Sequence, residues 1–129
     1  MSTALVVEDC LTDRQTLVLY LKKLGFNVLT AESAAEARTK LSDSKPDIIL
    51  LDVVLPDRSG FELCREFKSD PRMNDIPIIF CSSKGTDLDK FWGLRQGASA
   101  YLVKPLVPEE LVDIINQLTK NQQEQQGDR

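Results

Sequence analysis

The sequence predicts an α/β protein in which helices cover both faces of a parallel β-sheet. Short apolar runs alternate five times with segments of helical periodicity along the 129 residues, and the connections are short. Residues 48–51 are four consecutive apolar residues, which is typical of a strand buried on both faces. With 42% apolar and 28% charged residues, the chain has the composition and length of one domain with its own core.

Five strands are predicted from apolar runs that end in polar residues or turns. They cover residues 4–7, 26–30, 48–51, 76–81 and 100–103. Each strand is followed by a helical segment, so the crossovers should be right-handed. We expect a doubly wound (βα)5 sheet of the flavodoxin-like kind with strand order 2-1-3-4-5, in which strands 1 and 3 are neighbours.

Four of the five predicted helices begin with the spacing of a capping box. Thr12, Ser33, Ser59 and Thr86 each precede an acidic or amide side chain by three positions. Pro108 suits the first position of the fifth helix. Residues 1–120 are predicted to form the domain, and the polar, glutamine-rich residues 121–129 to form a disordered tail.

Composition excludes several classes of function. A net charge of −4 argues against a nucleic-acid surface, and no apolar run is long enough to span a membrane. No signal-peptide pattern is present, so a cytoplasmic protein is predicted. The chain has no histidine, which excludes a Ser-His-Asp triad and imidazole metal ligands. The three cysteines lack a CxxC spacing and are expected to be small buried side chains.

Polar side chains follow four of the predicted strands. Glu8 and Asp9 follow the first strand, Asp52 the third, Ser82 the fourth and Lys104 the fifth. Each alone is typical of a turn or a helix cap. The carboxyl ends of parallel strands share one edge, however, so three carboxylates, a hydroxyl and an ammonium should meet there.

This combination of groups predicts phosphoryl chemistry. Crowded carboxylates repel one another unless a cation or a lysine offsets their charge. With oxygen ligands only, Mg²⁺ is the natural metal. Carboxylates, Mg²⁺, lysine and hydroxyl together stabilise a phosphoryl group, and Asp52 can act as the nucleophile.

These motifs closely resemble the receiver domain of two-component response regulators, over residues 3 to about 120. The matching segments are residues 7–9, 51–60, 82 and 97–105. Two departures are mild, because neither removes a needed oxygen. Leu55 stands where the family often has methionine, and Glu8 stands in a pair that is often Asp-Asp.

The resemblance implies that Asp52 is the phosphoacceptor for a histidine kinase or phosphotransfer protein. It implies that Glu8 and Asp9 hold Mg²⁺, with Asp9, Asp52 and the Val54 carbonyl as direct ligands. The protein would be a signalling module rather than an enzyme, with at most slow self-phosphorylation from small donors. An apolar Val54 cannot orient an attacking water, so slow self-dephosphorylation is predicted.

The resemblance also implies a switch. Lys104 would pair with the phosphoryl oxygens, Ser82 would hydrogen-bond one of them, and Tyr101 would turn inward. The surface of the fourth helix, fifth strand and fifth helix would then change, for a downstream protein partner or a homodimer. The Lys104–Pro105 bond would be cis.

Residues 82–85 and 91–93 also resemble single-domain regulators of cyanobacterial and twitching-motility signalling clusters. In the fourth helix, two of Leu88, Phe91 and Trp92 are expected in the core. Trp92 or Leu94 is expected to be exposed.

Four alternatives remain open at this point. An aspartate-nucleophile phosphatase of the haloacid-dehalogenase kind is disfavoured because Val54 replaces its second acid and no cap insertion exists. A nucleotide or flavin binder is disfavoured because no glycine-rich loop follows strand 1. The others are a phosphate-independent protein-binding module on the same fold and a receiver fragment of a larger regulator; a stand-alone domain is favoured.

Overall fold

The computed structural model describes the backbone of residues 2–127 and the side chains of residues 2–119. Five strands are present: β1 (Thr3–Val7), β2 (Asn27–Ala31), β3 (Ile48–Leu51), β4 (Ile78–Ser82) and β5 (Ala100–Val103). They alternate with five helices: α1 (Leu11–Lys23), α2 (Ala34–Asp43), α3 (Gly60–Ser69), α4 (Asp87–Arg95) and α5 (Pro108–Gly127). All strands are parallel in the order β2-β1-β3-β4-β5, which confirms the predicted topology.

The sheet is buried on both faces, which explains its unbroken apolar runs. One face of β1 and β3 packs with α2 and α3, through a core that includes Phe67 and Phe80. The other face packs with α1 and α5, through a second core that includes Leu17 and Ile115. Every residue of β3 is fully buried, so both faces of this strand select apolar side chains.

The register of β1 and β3 sets the position of the polar edge. Val7 pairs with Leu51, the last residue of each strand. The Asp52 N–H then donates to the Val7 carbonyl at 3.0 Å, and the Glu8 N–H donates to the Ala31 carbonyl at 2.9 Å. Glu8 and Asp52 are therefore held side by side as the first residues beyond two adjacent strands.

Three of the four predicted N-caps are confirmed. Ser33 accepts from the Glu36 N–H, Ser59 from the Phe61 N–H, and Thr86 forms a complete capping box. The prediction at Thr12 is wrong, since α1 begins at Leu11 behind Cys10, which makes no side-chain cap. The Cys10 N–H instead donates to the Glu8 carboxylate at 3.3 Å. The Glu8 side chain, which precedes α1, therefore accepts a backbone hydrogen bond next to the start of this helix.

Helix α4 differs from the expectation for its apolar residues. Leu88, Phe91 and Trp92 are all exposed, as is Leu94, so the prediction that two of the first three are core residues is wrong. The buried residue of α4 is Gly93. A Cβ at this position would lie 2.7 Å from the Tyr101 ring, so the helix approaches the sheet through a residue without a side chain.

The remaining predictions concern α5, the cysteines and membrane spans. Pro108 is the first residue of α5, as predicted. Helix α5 continues to Gly127, past the predicted domain end at residue 120. Residues 128–129 of the predicted tail lie outside the described part of the chain, so the predicted domain boundary stays a prediction.

Cys64 and Cys81 are buried, but Cys10 is exposed because it lies in the loop before α1. Among the described helices, none is long and apolar enough to cross a membrane.

Candidate functional site

Three carboxylates meet at the carboxyl edge of the sheet, as the sequence predicts. One carboxylate oxygen from each of Glu8, Asp9 and Asp52 lies within 4.8 Å of the others. Glu8 and Asp52 are buried, with 1% and 7% of their surface exposed, whereas Asp9 faces solvent. The cluster therefore has two fixed interior acids and one acid at its open side.

Lys104 reaches this cluster from the end of β5. Its Nζ lies 2.5 Å from Glu8 Oε1 and 3.2 Å from Asp52 Oδ2, and 15% of its side chain is exposed. These ion pairs connect strands at the centre and at the edge of the sheet. The ammonium supplies the positive charge that two buried, adjacent carboxylates need.

Asp13 is a third partner of Lys104 that the sequence analysis did not single out. Its Oδ2 accepts a hydrogen bond from Nζ at 2.8 Å. The sequence placed Asp13 in the first turn of a helix that follows Glu8-Asp9. No pattern in the sequence indicates that this turn lies near the end of β5. In the sheet, β3 and β4 lie between β1, which precedes α1, and β5.

The protonation of the buried groups follows from burial and the ion pairs. Burial raises the pKa of Glu8 to about 7, against the opposing effect of its hydrogen bond with Lys104. Burial alone would lower the pKa of Lys104, but hydrogen bonds with Asp13 and Glu8 outweigh it and raise the pKa above the ordinary value. The ammonium is thus charged at neutral pH.

Ser82 and Tyr101 lie beside the cluster. Ser82 is fully buried at the end of β4, and its Oγ accepts from the Lys84 N–H at 3.2 Å. The Tyr101 hydroxyl donates to the Lys84 carbonyl, and its ring packs on Phe80 with centroids 5.7 Å apart. Both side chains therefore bond to the loop after β4 rather than to the carboxylates.

The loop from Asp52 to Gly60 is folded back on itself. The Val54 N–H donates to Asp52 Oδ1 at 3.2 Å, and Val54 forms an isolated antiparallel bridge with Ser59. The Val54 side chain is 50% exposed. The Lys104–Pro105 peptide bond is cis.

Asp57 is a further residue of this loop that the sequence analysis missed. Its two carboxylate oxygens accept from the N–H groups of Ala34 and Ala35 at 2.9 and 3.0 Å. These bonds cap the N-terminus of α2 and hold the pKa of Asp57 below its ordinary value. The loop after β3 is thereby tied to the neighbouring helix.

Comparison with known proteins decides the family. Residues 4–116 match the family described as "Response regulator receiver domain". The chain is a response regulator receiver domain. The receiver domain is 38% identical to Protein PilH of Pseudomonas aeruginosa over 90% of this chain and 96% of PilH.

Two further comparisons agree with that assignment. The receiver domain is 43% identical to the phosphate regulon transcriptional regulatory protein PhoB of Pseudomonas aeruginosa over 85% of this chain. It covers 48% of PhoB and so spans about half the length of that relative. The structure superposes on chemotaxis protein CheY4 of Vibrio cholerae with a TM-score of 0.84 and 30% identity, covering 92% of this chain and 98% of CheY4.

Receiver domains bind Mg²⁺ at the acidic pocket, and the residues of this pocket fit the ion. Glu8, Asp9 and Asp52 offer only oxygen donors, which a hard divalent cation prefers. One of the three acids faces solvent, so the cluster has an open side for water or phosphate oxygens. Its negative charge exceeds that of the single nearby ammonium, which favours a cation.

Proposed function

We propose that this receiver domain is a Mg²⁺-dependent phosphoacceptor and that Asp52 accepts the phosphoryl group. The observation that supports this most directly is the surrounding of Asp52. Its carboxylate is buried at a strand end, grouped with Glu8 and Asp9, and 3.2 Å from an ammonium. A nucleophilic carboxylate beside a metal site and a lysine is the arrangement that phosphoryl transfer requires.

The proposed donor is a phosphorylated histidine of a kinase or phosphotransfer protein. A carboxylate oxygen of Asp52 forms a bond to phosphorus while the bond from phosphorus to the imidazole nitrogen breaks. The imidazole keeps the electron pair of the broken bond, and the product is an acyl phosphate on Asp52. Since the chain has no histidine, the phosphohistidine must come from the partner.

The residues of the site have different proposed roles. Glu8, Asp9 and Asp52, with the Val54 carbonyl, would hold Mg²⁺, which offsets the charge of the phosphoryl oxygens when bound. Lys104 would donate to the phosphoryl oxygens from the β5 side. The arrangement of the sheet supports these roles, because Glu8, Asp9, Asp52 and Lys104 all follow the carboxyl ends of parallel strands.

The proposed output is a change at the surface of α4, β5 and α5. Ser82 bonds to the backbone of Lys84, and so does Tyr101, so both residues depend on the position of one loop. A phosphoryl group that recruits the Ser82 hydroxyl would move this loop, and Tyr101, whose hydroxyl bonds to the loop, would change position with it. A protein partner or a second copy of this chain would respond to the altered surface.

The test is intact mass spectrometry after incubation with acetyl phosphate, with and without Mg²⁺. We expect one added phosphoryl group that requires both the metal and Asp52, so that Asp52→Asn gains none. Asp87→Asn is the matched control, since Asp87 is exposed in the first turn of α4 and should behave as wild type. An adduct on Asp52→Asn, or none on the wild type, would refute the proposal.

A further inference from the structure

We infer that Asp13 is a positioning residue that keeps the Lys104 ammonium at the phosphorylation site while the other two carboxylates change partners. The inference rests on the proposed function, because it concerns the lysine of that site. Asp13 belongs to α1, whereas the acids grouped as a possible metal site follow β1 and β3. It therefore has no competing task in the proposed chemistry.

The geometry around Lys104 Nζ accounts for all of its donors. A lysine ammonium has three N–H groups, and three carboxylates accept from this one. The distances are 2.5 Å to Glu8, 2.8 Å to Asp13 and 3.2 Å to Asp52. The Asp13 contact is thus shorter than the contact to the proposed phosphoacceptor.

Two of these three contacts must change when Mg²⁺ binds and Asp52 is phosphorylated. Glu8 and Asp52 belong to the cluster that would hold a cation, and Asp52 would also become an acyl phosphate. Both changes draw the carboxylate oxygens of Glu8 and Asp52 away from the ammonium. Asp13 remains unchanged, so it retains one N–H of Lys104 and leaves the other two for phosphoryl oxygens.

Helix α1 can hold Asp13 in place because Arg14 anchors its first turn. The Arg14 guanidinium donates to the carbonyls of Glu8 and Asp9 at 3.0 and 3.4 Å. It also forms an ion pair with Glu32 at 2.9 Å, and only 13% of its side chain is exposed. The carboxylate next to it in sequence is consequently presented to Lys104 from a fixed support.

Such a support matters because a lysine side chain is long and flexible. Its charge must stay within hydrogen-bond distance of the phosphoryl oxygens to stabilise the transition state. Asp13 is 41% exposed, so solvent screens the ion pair in part. The expected contribution is therefore to the order of the lysine rather than to its charge.

The first test measures that order in saturating Mg²⁺ and without a phosphodonor, because the metal would engage Glu8 and Asp52 and leave Asp13 as the remaining carboxylate partner of Lys104. In the ¹⁵N-labelled receiver domain, side-chain ¹⁵N relaxation gives the order parameter of the Lys104 ammonium. We expect it to fall clearly in Asp13→Ala and to stay at the wild-type value in the control Asp87→Ala, which removes another carboxylate in a first helical turn. An unchanged order parameter in Asp13→Ala would overturn the inference, whether or not the protein accepts phosphate.

The second test measures phosphorylation by acetyl phosphate in Mg²⁺. At saturating donor we expect Asp13→Ala to be slower than wild type by about tenfold, with Asp13→Asn, which keeps an acceptor oxygen, between them. The Mg²⁺ dissociation constant, from calorimetry without donor, should change by less than about twofold, since electrostatic coupling through solvent-exposed groups is weak. Equal or faster phosphorylation of Asp13→Ala would overturn the inference. So would a loss of Mg²⁺ affinity as large as the loss of rate.

Discussion

Gly60 lies directly against the backbone of Asp52. A Cβ on residue 60 would clash with the Asp52 carbonyl oxygen and would lie 2.9 Å from the Val53 Cα. The Gly60 N–H also donates to the Val53 carbonyl at 2.7 Å. The start of α3 and the end of β3 can approach this closely only because residue 60 has no side chain, and the loop between them carries the proposed phosphosite.

Gly60→Ala is therefore expected to destabilise the fold strongly. The clash involves backbone atoms, which cannot move aside as a flexible side chain can. We expect the free energy of unfolding to fall by about 3 kcal/mol, the upper part of the range for overpacking. Urea unfolding followed by circular dichroism measures the loss.

Gly25→Ala is the comparison for this variant. Gly25 has a φ of +92°, and a Cβ there would meet nothing within 4 Å. Its substitution tests backbone strain alone, which costs about 1 kcal/mol. A cost of Gly60→Ala no larger than that of Gly25→Ala would contradict the role given to the close approach.

The fold was predictable because buried parallel strands leave a clear pattern. Strand β3 was predicted to the residue, since both of its faces are covered and all four residues are apolar. The start of α1 was not, because the Thr12 spacing matched a capping box while the helix begins at Leu11 instead. Local patterns of polar residues do not determine which turn of a chain becomes the first helical one.

The residues of the candidate site were likewise predictable only in part. Glu8, Asp9, Asp52 and Lys104 were predicted to share an edge, since they follow strands of one parallel sheet. Asp13 and Asp57 were missed because a helical turn and a loop carry them, and their partners are distant in sequence. Contacts such as Asp57 with Ala34 depend on how α2 and the loop pack, which no local pattern records.

The exposed face of α4 predicts an unusual tolerance for loss of aromatic side chains. Phe91 is 57% exposed, whereas Phe67 of α3 is fully buried. Phe91→Ala should change the free energy of unfolding by less than about 0.5 kcal/mol, and Phe67→Ala should lower it by about 4 kcal/mol. Urea unfolding of both variants makes the comparison. A cost above about 2 kcal/mol for Phe91→Ala would mean that this helix face is packed.

The hydrogen bonds of Asp57 predict that the free energy of unfolding depends on pH in the acid range. Its folded pKa lies below the ordinary value of 3.8 because the N–H groups of Ala34 and Ala35 stabilise the carboxylate. In acid the unfolded state then binds more protons than the folded state. The contribution of Asp57 is present in full above the unfolded pKa and is lost as the pH falls through the lower folded pKa.

Comparison of wild type with Asp57→Asn isolates this contribution. The variant should be less stable than wild type at neutral pH, and the difference should shrink as the pH falls below about 4. Urea midpoints across that pH range give the profile. Asp113→Asn is the control, because Asp113 is exposed on α5 and makes no hydrogen bond or ion pair among residues 2–119. A difference for Asp57→Asn that is independent of pH would show that the cap does not require the charge.

Val54 predicts how long the phosphorylated state lasts. Its side chain is half exposed, two residues after Asp52, and lines a groove with Lys84. An apolar side chain cannot orient the water that hydrolyses an acyl phosphate. Val54→Asn should therefore lose its phosphoryl group faster than wild type, by about threefold to tenfold.

The decay is followed by intact mass after the phosphodonor is removed in the presence of Mg²⁺. Val54→Ala is the matched control, because it also opens space at this position but offers no hydrogen bond to water. It should decay at the wild-type rate if orientation of water, rather than access, limits hydrolysis. Phosphate loss from Val54→Asn that is no faster than from wild type would contradict this mechanism. Equal acceleration in both variants would instead assign the slow hydrolysis to the bulk of the valine side chain.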